Sequence, residues 1–258
     1  MENKKEYKPV QSIERLFQVL EVLALNPEGL SLLALSEKTG LPSSTVHRLL
    51  HTLYALGYTE WRSNNSSPYK LTLRLFEYGS HSLEDRPFIQ AVHPYLDKLS
   101  AELSTSIYLY LPDHHDVLAA IKAGTYSAKE EPTVGARLPM YCCSAGKSIL
   151  AFSTEEELSQ MWAASHIIPY TPNTVQSLDA LRDSLSRDRN NGYSLSKEEY
   201  SIGLYSLSVP LMSPYGTPFG AITATFTPQQ FQSHTLERWL SPMKQYAGSI
   251  QALYVAGL

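Results

Sequence analysis

Residues 43 to 52 read Ser43, Ser44, Thr45, Val46, His47, Arg48, Leu49, Leu50, His51 and Thr52. With Val46, Leu49, Leu50, Leu53 and Leu56 at three- and four-residue steps, this run predicts a helix buried on one face. Its other face then carries Ser43, Ser44, Thr45, His47, Arg48, His51 and Thr52. Hydroxyls near a helix start suit phosphate oxygens, because free N–H groups and the helix dipole favour an anion there. An outward Arg48 can bridge guanine O6 and N7 or clamp a phosphate. This is the chemistry of a helix laid in a DNA groove, although a helical bundle with an ordinary polar surface has the same periodicity.

Further along, Ser144, Ala145, Gly146, Lys147 and Ser148 end in Gly-Lys-Ser, the close of a nucleotide-binding loop. That loop needs a glycine five positions before Gly146, and the residue there is Tyr141, which excludes it. Small residues at a helix start leave room for a carboxylate to approach backbone N–H groups, or for the helix to pack closely on a sheet. Cys142 and Cys143 are candidates for a nucleophile or redox sensor, or for small buried hydrophobes. His114, His115 and Asp116 offer metal-ligand types but sit between two strand-like runs, as a polar turn would. Glu198 and Glu199 are acid–base candidates; in a strand, neighbouring side chains face opposite ways, which favours a structural acceptor. No catalytic or metal constellation, and no cofactor, emerges.

The elements that must position these groups fall into two parts. Ile13, Leu16, Phe17, Leu20, Leu23 and Ala24 predict a first helix that Pro27 and Gly29 stop, and Ser31 can cap a short second helix ending at Gly40. Ser43 or Ser44 can cap the third. Strand-like runs at Tyr58–Arg62 and Tyr69–Leu73 predict a hairpin, or wing, that brings Arg62 and Lys70 beside the groove. A partly helical linker covers 74–85. From 86 to 258, a helix over Pro87–Leu103 and a long last helix bracket strands near 106–111, 117–122, 193–196, 205–212 and 219–227, with helices near 146–152, 155–163 and 178–189. Strands gathered between helices imply an α+β domain with a mainly antiparallel sheet. Thr223 and Thr225 alternate with Ile222, Ala224 and Phe226, so both hydroxyls share one sheet face.

Composition sets the bounds. The 258 residues, 43% of them apolar, are enough for one large core or two small ones. The net charge of −4 gives no bulk attraction to nucleic acid or an anionic membrane, so any DNA contact must be local. Residues 1 to 75 carry nine Lys or Arg against seven acidic groups, while the remainder carries twelve against eighteen. The only two cysteines are neighbours and cannot staple distant segments, which fits a reducing compartment. No apolar run approaches a membrane span of about 18 residues and no signal peptide is evident, so the cytoplasm is expected.

The run from Ser43 to Leu50, then Leu56, Gly57, Tyr58 and Tyr69 to Gly79, resembles the winged helix-turn-helix of the IclR-type bacterial transcriptional regulators. The likeness continues through Leu138 to Lys147 and through Glu198, Glu199, Gly203 and Leu204. The resemblance implies a DNA-binding domain over 1–73, a linker helix over 74–85, and a GAF-like effector-binding and oligomerisation domain over 86–258. It implies a homodimer, commonly paired again into a tetramer, and a small organic acid as ligand. Carried over by resemblance, Ser144 and Ala145 present backbone groups to the effector, with Ser196, Ser206, Thr223 and Thr225 around it. Where the founding family member has an acidic pocket residue this chain has Ser196, and where it has a cysteine, Ser206. A hydroxyl-rich pocket suits a polyhydroxy acid, and the motifs look closest to sugar-acid-responsive members. The expected function is a regulator, in the sense of a catabolic repressor released by its effector, reading pseudo-palindromic double-stranded DNA. The alternatives are a thiol redox sensor using Cys142 and Cys143, or a cysteine-dependent enzyme.

Overall fold

The computed structural model describes residues 9–61, 68–84, 87–124 and 131–257. The chain divides into two compact units, Met1–Asp85 and Arg86–Leu258.

In the first unit, α1 (Gln11–Ala24), α2 (Leu32–Thr39) and α3 (Ser43–Ala55) pack around Val19, Leu20, Leu23, Leu35, Val46, Leu50 and Leu53. Ser31 caps α2 by accepting from the Ala34 N–H, and α2 stops at Gly40, whose φ of 67° is in the left-handed region. Pro42, not Ser43 or Ser44, is the residue before α3. Its extended ψ of 139° starts the helix one residue earlier than the serines would, and its carbonyl accepts from the Thr45 and Val46 N–H groups. Ser43 therefore lies in the first turn, its hydroxyl donating to Ser36 Oγ. Leu56 ends α3 exposed rather than in its apolar face.

The hairpin ladder is shorter than its two apolar runs. β1 (Thr59–Glu60) pairs antiparallel with β2 (Lys70–Leu71), and Leu30 bridges to Tyr69 beyond it. The last bond between the two runs is from the Thr72 N–H to the Tyr58 carbonyl at 2.9 Å, and the Thr72 hydroxyl donates to the Gly57 carbonyl at 2.6 Å. Gly29, at φ 83°, is fixed by this bridge, since a Cβ there would come within 2.7 Å of the Tyr69 carbonyl oxygen. The segment after the hairpin is a continuous helix, α4 (Arg74–Glu84), where a partly helical linker is read from sequence.

The second unit has a six-stranded sheet of order β5-β4-β3-β8-β7-β6, with every pairing antiparallel. The strands are β3 (Ile107–Asp113), β4 (Asp116–Ala123), β5 (Arg137–Pro139), β6 (Ser194–Lys197), β7 (Tyr205–Met212) and β8 (Pro218–Phe226). Long helices α5 (Pro87–Leu103) and α10 (Leu236–Val255) pack together on one face, where Phe226 meets Trp239. A 3₁₀ turn (Met140–Cys142) leads into α6 (Ser144–Leu150) on the other face, followed by α7 (Glu155–Ala164) and α8 (Leu178–Asn191). A single turn, α9 (Pro228–Gln232), precedes α10. The sequence pattern does not show β5 or α9, which are too short for a periodic signal. Among the described residues no helix is long and apolar enough to cross a membrane.

Candidate functional site

On α3, Ser43, Ser44, His47, Arg48, His51 and Thr52 are exposed and Thr45 is half-buried, while Val46, Leu50 and Leu53 anchor the opposite face. Thr52 donates to the Arg48 carbonyl at 2.9 Å, so its hydroxyl proton is partly engaged within the helix. Ser12 and Arg15 of α1 border a groove with Thr45, Arg48, Leu49 and Thr52, which puts a second arginine on the groove that Arg48 lines. Sequence reading missed Arg15; the signal was its place one turn beyond Ser12 on the outward side of α1. Lys70 stands on β2 with its ammonium 3.5 Å from Glu28, and Arg62 lies outside the described residues.

In the second unit a single cleft gathers Ser144, Ala145, Ser196, Ser206, Thr223 and Thr225 around about 20 Å³ of enclosed space. Tyr110, Pro132, Leu138, Cys143, Tyr200 and Leu204 complete the wall. The register explains the convergence. Ser194, Ser208, Thr223, Tyr108 and Lys122 are successive partners across β6, β7, β8, β3 and β4, and Ser196, Ser206 and Thr225 form the next row. Residues in register point to one face, so two lines of hydroxyls meet α6. Ser208 donates to Ser144 Oγ at 2.7 Å, Ser144 donates to Ser206 Oγ at 2.7 Å, and Ser208 and Thr223 share a third bond of 2.7 Å.

Gly146 lets α6 approach that closely, because a Cβ there would stand 2.2 Å from Met140 Cα. In the first turn the Gly146 N–H donates to Cys143 Sγ and the Lys147 N–H to the Cys143 carbonyl. The N–H groups of Ser144 and Ala145 have no intrahelical acceptor, as at any helix start. Burial pushes the Tyr110 and Tyr200 phenols above their ordinary values, so both remain hydrogen-bond donors at neutral pH.

Glu131 was not singled out from sequence, since an isolated acidic residue in a loop carries no periodic signal. Its side chain is 5% exposed and accepts from Thr225 Oγ1 at 2.6 Å, Ser106 Oγ at 3.0 Å and Lys122 Nζ at 2.9 Å.

Both thiols are buried, and burial, before any neighbouring charge, pushes Cys142 far up and Cys143 up to about 12. A thiolate nucleophile or sensor needs the opposite shift, so neither the redox nor the enzyme alternative has support here. His114 and His115 form the turn between β3 and β4, with His114 at a left-handed φ of 57°. Glu198 and Glu199 are not in a strand as read from sequence, because the chain leaves β6 at Lys197 and Glu198 adopts φ 59°. Glu198 accepts from the Gly203 N–H at 2.9 Å, and Glu199 pairs with the buried Lys147 at 2.6 Å.

Residues 12–63 match the IclR helix-turn-helix domain, and residues 80–252 match the bacterial transcriptional regulator IclR C-terminal domain. The chain is 30% identical over 217 residues to the transcriptional repressor IclR of Escherichia coli K12, covering 83% of this chain and 79% of that protein. It is 28% identical to the E. coli DNA-binding transcriptional repressor YiaJ, over 93% of this chain and 86% of the relative. The crystal structure of an IclR homologue from Microbacterium hydrocarbonoxydans, complexed with 4-hydroxybenzoate, superposes with a TM-score of 0.76 at 22% identity, covering 93% and 98% of the two chains.

Proposed function

The chain belongs to the IclR family of bacterial transcriptional regulators, and from that premise we propose that it is a repressor of a catabolic operon, released from DNA when a small organic acid binds its second unit. The observation that carries this reading is the cleft against α6, in which hydroxyls from three strands converge with a helix start and, among the described residues, no charged side chain lines the wall. An acid carboxylate in it meets the Ser206 hydroxyl and the Ser144 and Ala145 N–H groups, while Ser196, Thr223 and Thr225 take the hydroxyls of a polyhydroxy acid. No chemical step is part of this function.

The reader is the outward face of α3: Ser43, Ser44, Thr45, His47, Arg48, His51 and Thr52 in the major groove, with Arg62 and Lys70 of the hairpin on the adjoining backbone. Two copies in a dimer, alone or paired into a dimer of dimers, place two such helices about 34–36 Å apart or a multiple of that, matching a pseudo-palindromic site in the cytoplasm. The effector acts by binding one arrangement of the readers more tightly than the other.

The test is calorimetry of the full chain with sugar acids, small keto acids and aromatic acids, followed by DNA binding with and without the acid that binds. A saturable acid that weakens operator affinity supports the reading. An acid that binds and leaves operator affinity unchanged overturns it.

A further inference from the structure

Among the described residues the cleft wall is uncharged, yet one end of it is backed by an ion pair. Thr225 lines the cleft, and its hydroxyl proton is given to Glu131 Oε1 at 2.6 Å. Behind it, Lys122 Nζ holds Glu131 Oε2 at 2.9 Å, with Ser106 Oγ also donating to that oxygen at 3.0 Å. Pro132, the next residue, is itself part of the wall and its carbonyl accepts from Tyr108 OH at 2.9 Å. The carboxylate is thus held by three donors and 5% exposed, while the lysine that compensates it is 23% exposed and lies on the far side of it from Thr225. A ligand group at Thr225 meets an oxygen whose proton already points away to a carboxylate, so that oxygen offers only lone pairs. Acceptors and negative charge are unwelcome there, and hydroxyl donors are favoured.

We propose that Glu131, held by Lys122 and Thr225, sets the charge selectivity of the cleft: it admits a monocarboxylic acid with a hydroxyl at its far end and excludes a second carboxylate. The inference rests on the reading of the cleft as an effector site and names the class of acid that site takes. It accounts for why so polar a wall keeps a buried carboxylate beside an acid site. The carboxylate orients the ligand by repelling its like-charged end.

Two pairs of probes that differ only in their far end test it by calorimetry on the full chain: D-gluconate against D-glucarate, and 4-hydroxybenzoate against terephthalate. The wild-type chain binds the monoacid of at least one pair and its diacid about tenfold or more weakly. Glu131→Gln keeps the shape and an acceptor but leaves the positive charge of Lys122 uncompensated behind the Thr225 end of the cleft. The diacid should then tighten until it equals or exceeds the monoacid. Lys122→Met leaves Glu131 uncompensated and should weaken both acids of the pair, with the diacid lost first. Melting temperatures of both variants establish that they are folded. A wild-type chain that binds monoacid and diacid alike, or a ratio unmoved in Glu131→Gln, overturns the role of Glu131 and leaves the effector site standing. Absence of binding by all four acids overturns the effector reading for these classes and this inference with it.

Discussion

Ser208 gives its hydroxyl proton to Ser144 Oγ at 2.7 Å, joining the middle of β7 to the start of α6. A hydroxyl has one proton, so the bond between Ser208 and Thr223 must run from Thr223. The order Thr223 to Ser208 to Ser144 to Ser206 follows, and the proton of Ser206 has no acceptor among the described residues. The chain of hydroxyls therefore ends as a donor at the cleft wall, aligned to meet an anion before one arrives.

Thr223→Val removes the first donor of that order while keeping the branched shape of the side chain. Ser208 is left with an unfilled lone pair in a buried place, at a cost of about 1 kcal/mol in folding stability. Effector affinity should fall several-fold, with operator affinity in the absence of effector unchanged. Titration calorimetry and a DNA-binding assay on the same preparation check both halves. An unaltered effector isotherm would separate this hydroxyl order from ligand binding.

Arg48 and Arg15 border one groove, but they stand on different helices and should differ in what they read. If Arg48 meets a base, Arg48→Ala costs about 1–3 kcal/mol on the operator and little on random DNA. Arg15→Ala, on the crossing helix, should weaken all sequences alike and lower the salt dependence by about one counterion. Fluorescence anisotropy against salt concentration, on operator and scrambled duplexes, distinguishes them. Equal losses on both duplexes for Arg48→Ala would make it a phosphate contact.

Much of this was legible beforehand, for identifiable reasons. The first three helices declare themselves through Leu20, Leu23, Leu35, Val46, Leu50 and Leu53 at helical spacing, although Ile13 and Phe17 of the expected stripe are exposed and Val19, outside it, is buried. The shared face of Thr223 and Thr225 follows from strand alternation alone. What was not legible depends on partners distant in sequence. Ser208 becomes important only because β7 lies beside β8 and under α6, and Glu131 only because its loop returns to Lys122 and Thr225. The start of α3 was misread because a capping serine is the stronger local habit, whereas Pro42 sets the entry by its fixed φ. The Glu198–Glu199 pair was misread as a strand because nothing local marks the left-handed turn at Glu198.

The thiols make a negative prediction. Cys143 is held at about 12 by burial, and Cys142 is pushed higher still. At pH 8 the folded chain should leave both unmodified by a thiol-alkylating reagent, and both should react once urea unfolds it. Because the folded values lie above the unfolded ones, stability is intact below about pH 8.5 and declines as the pH rises toward 12. Rapid alkylation of the native chain, counted by mass spectrometry, would restore the redox alternative.

Lys147 tests how firmly the cleft is held from behind. It is an α6 residue three positions beyond Ser144, its side chain is 3% exposed, and it donates to Glu199 Oε1 at 2.6 Å and to the Leu195 carbonyl at 3.3 Å. Glu199 Oε2 is buried without a partner among the described residues, and desolvation holds both Glu199 and nearby Asp188 above the ordinary carboxylate range, against the pull of Lys147. Lys147→Met strips the cation from two buried carboxylates, and at neutral pH should cost about 3–5 kcal/mol. A raised folded pKa means that stability is full below the unfolded value, near pH 4, and is lost as the pH rises through the folded one. The deficit of the variant should therefore be small at pH 5 and large at pH 7, read from urea denaturation at each pH. A deficit that does not change with pH would mean that Lys147 supports α6 through the packing of its stem, and that the charge it carries contributes nothing to holding Ser144 in place.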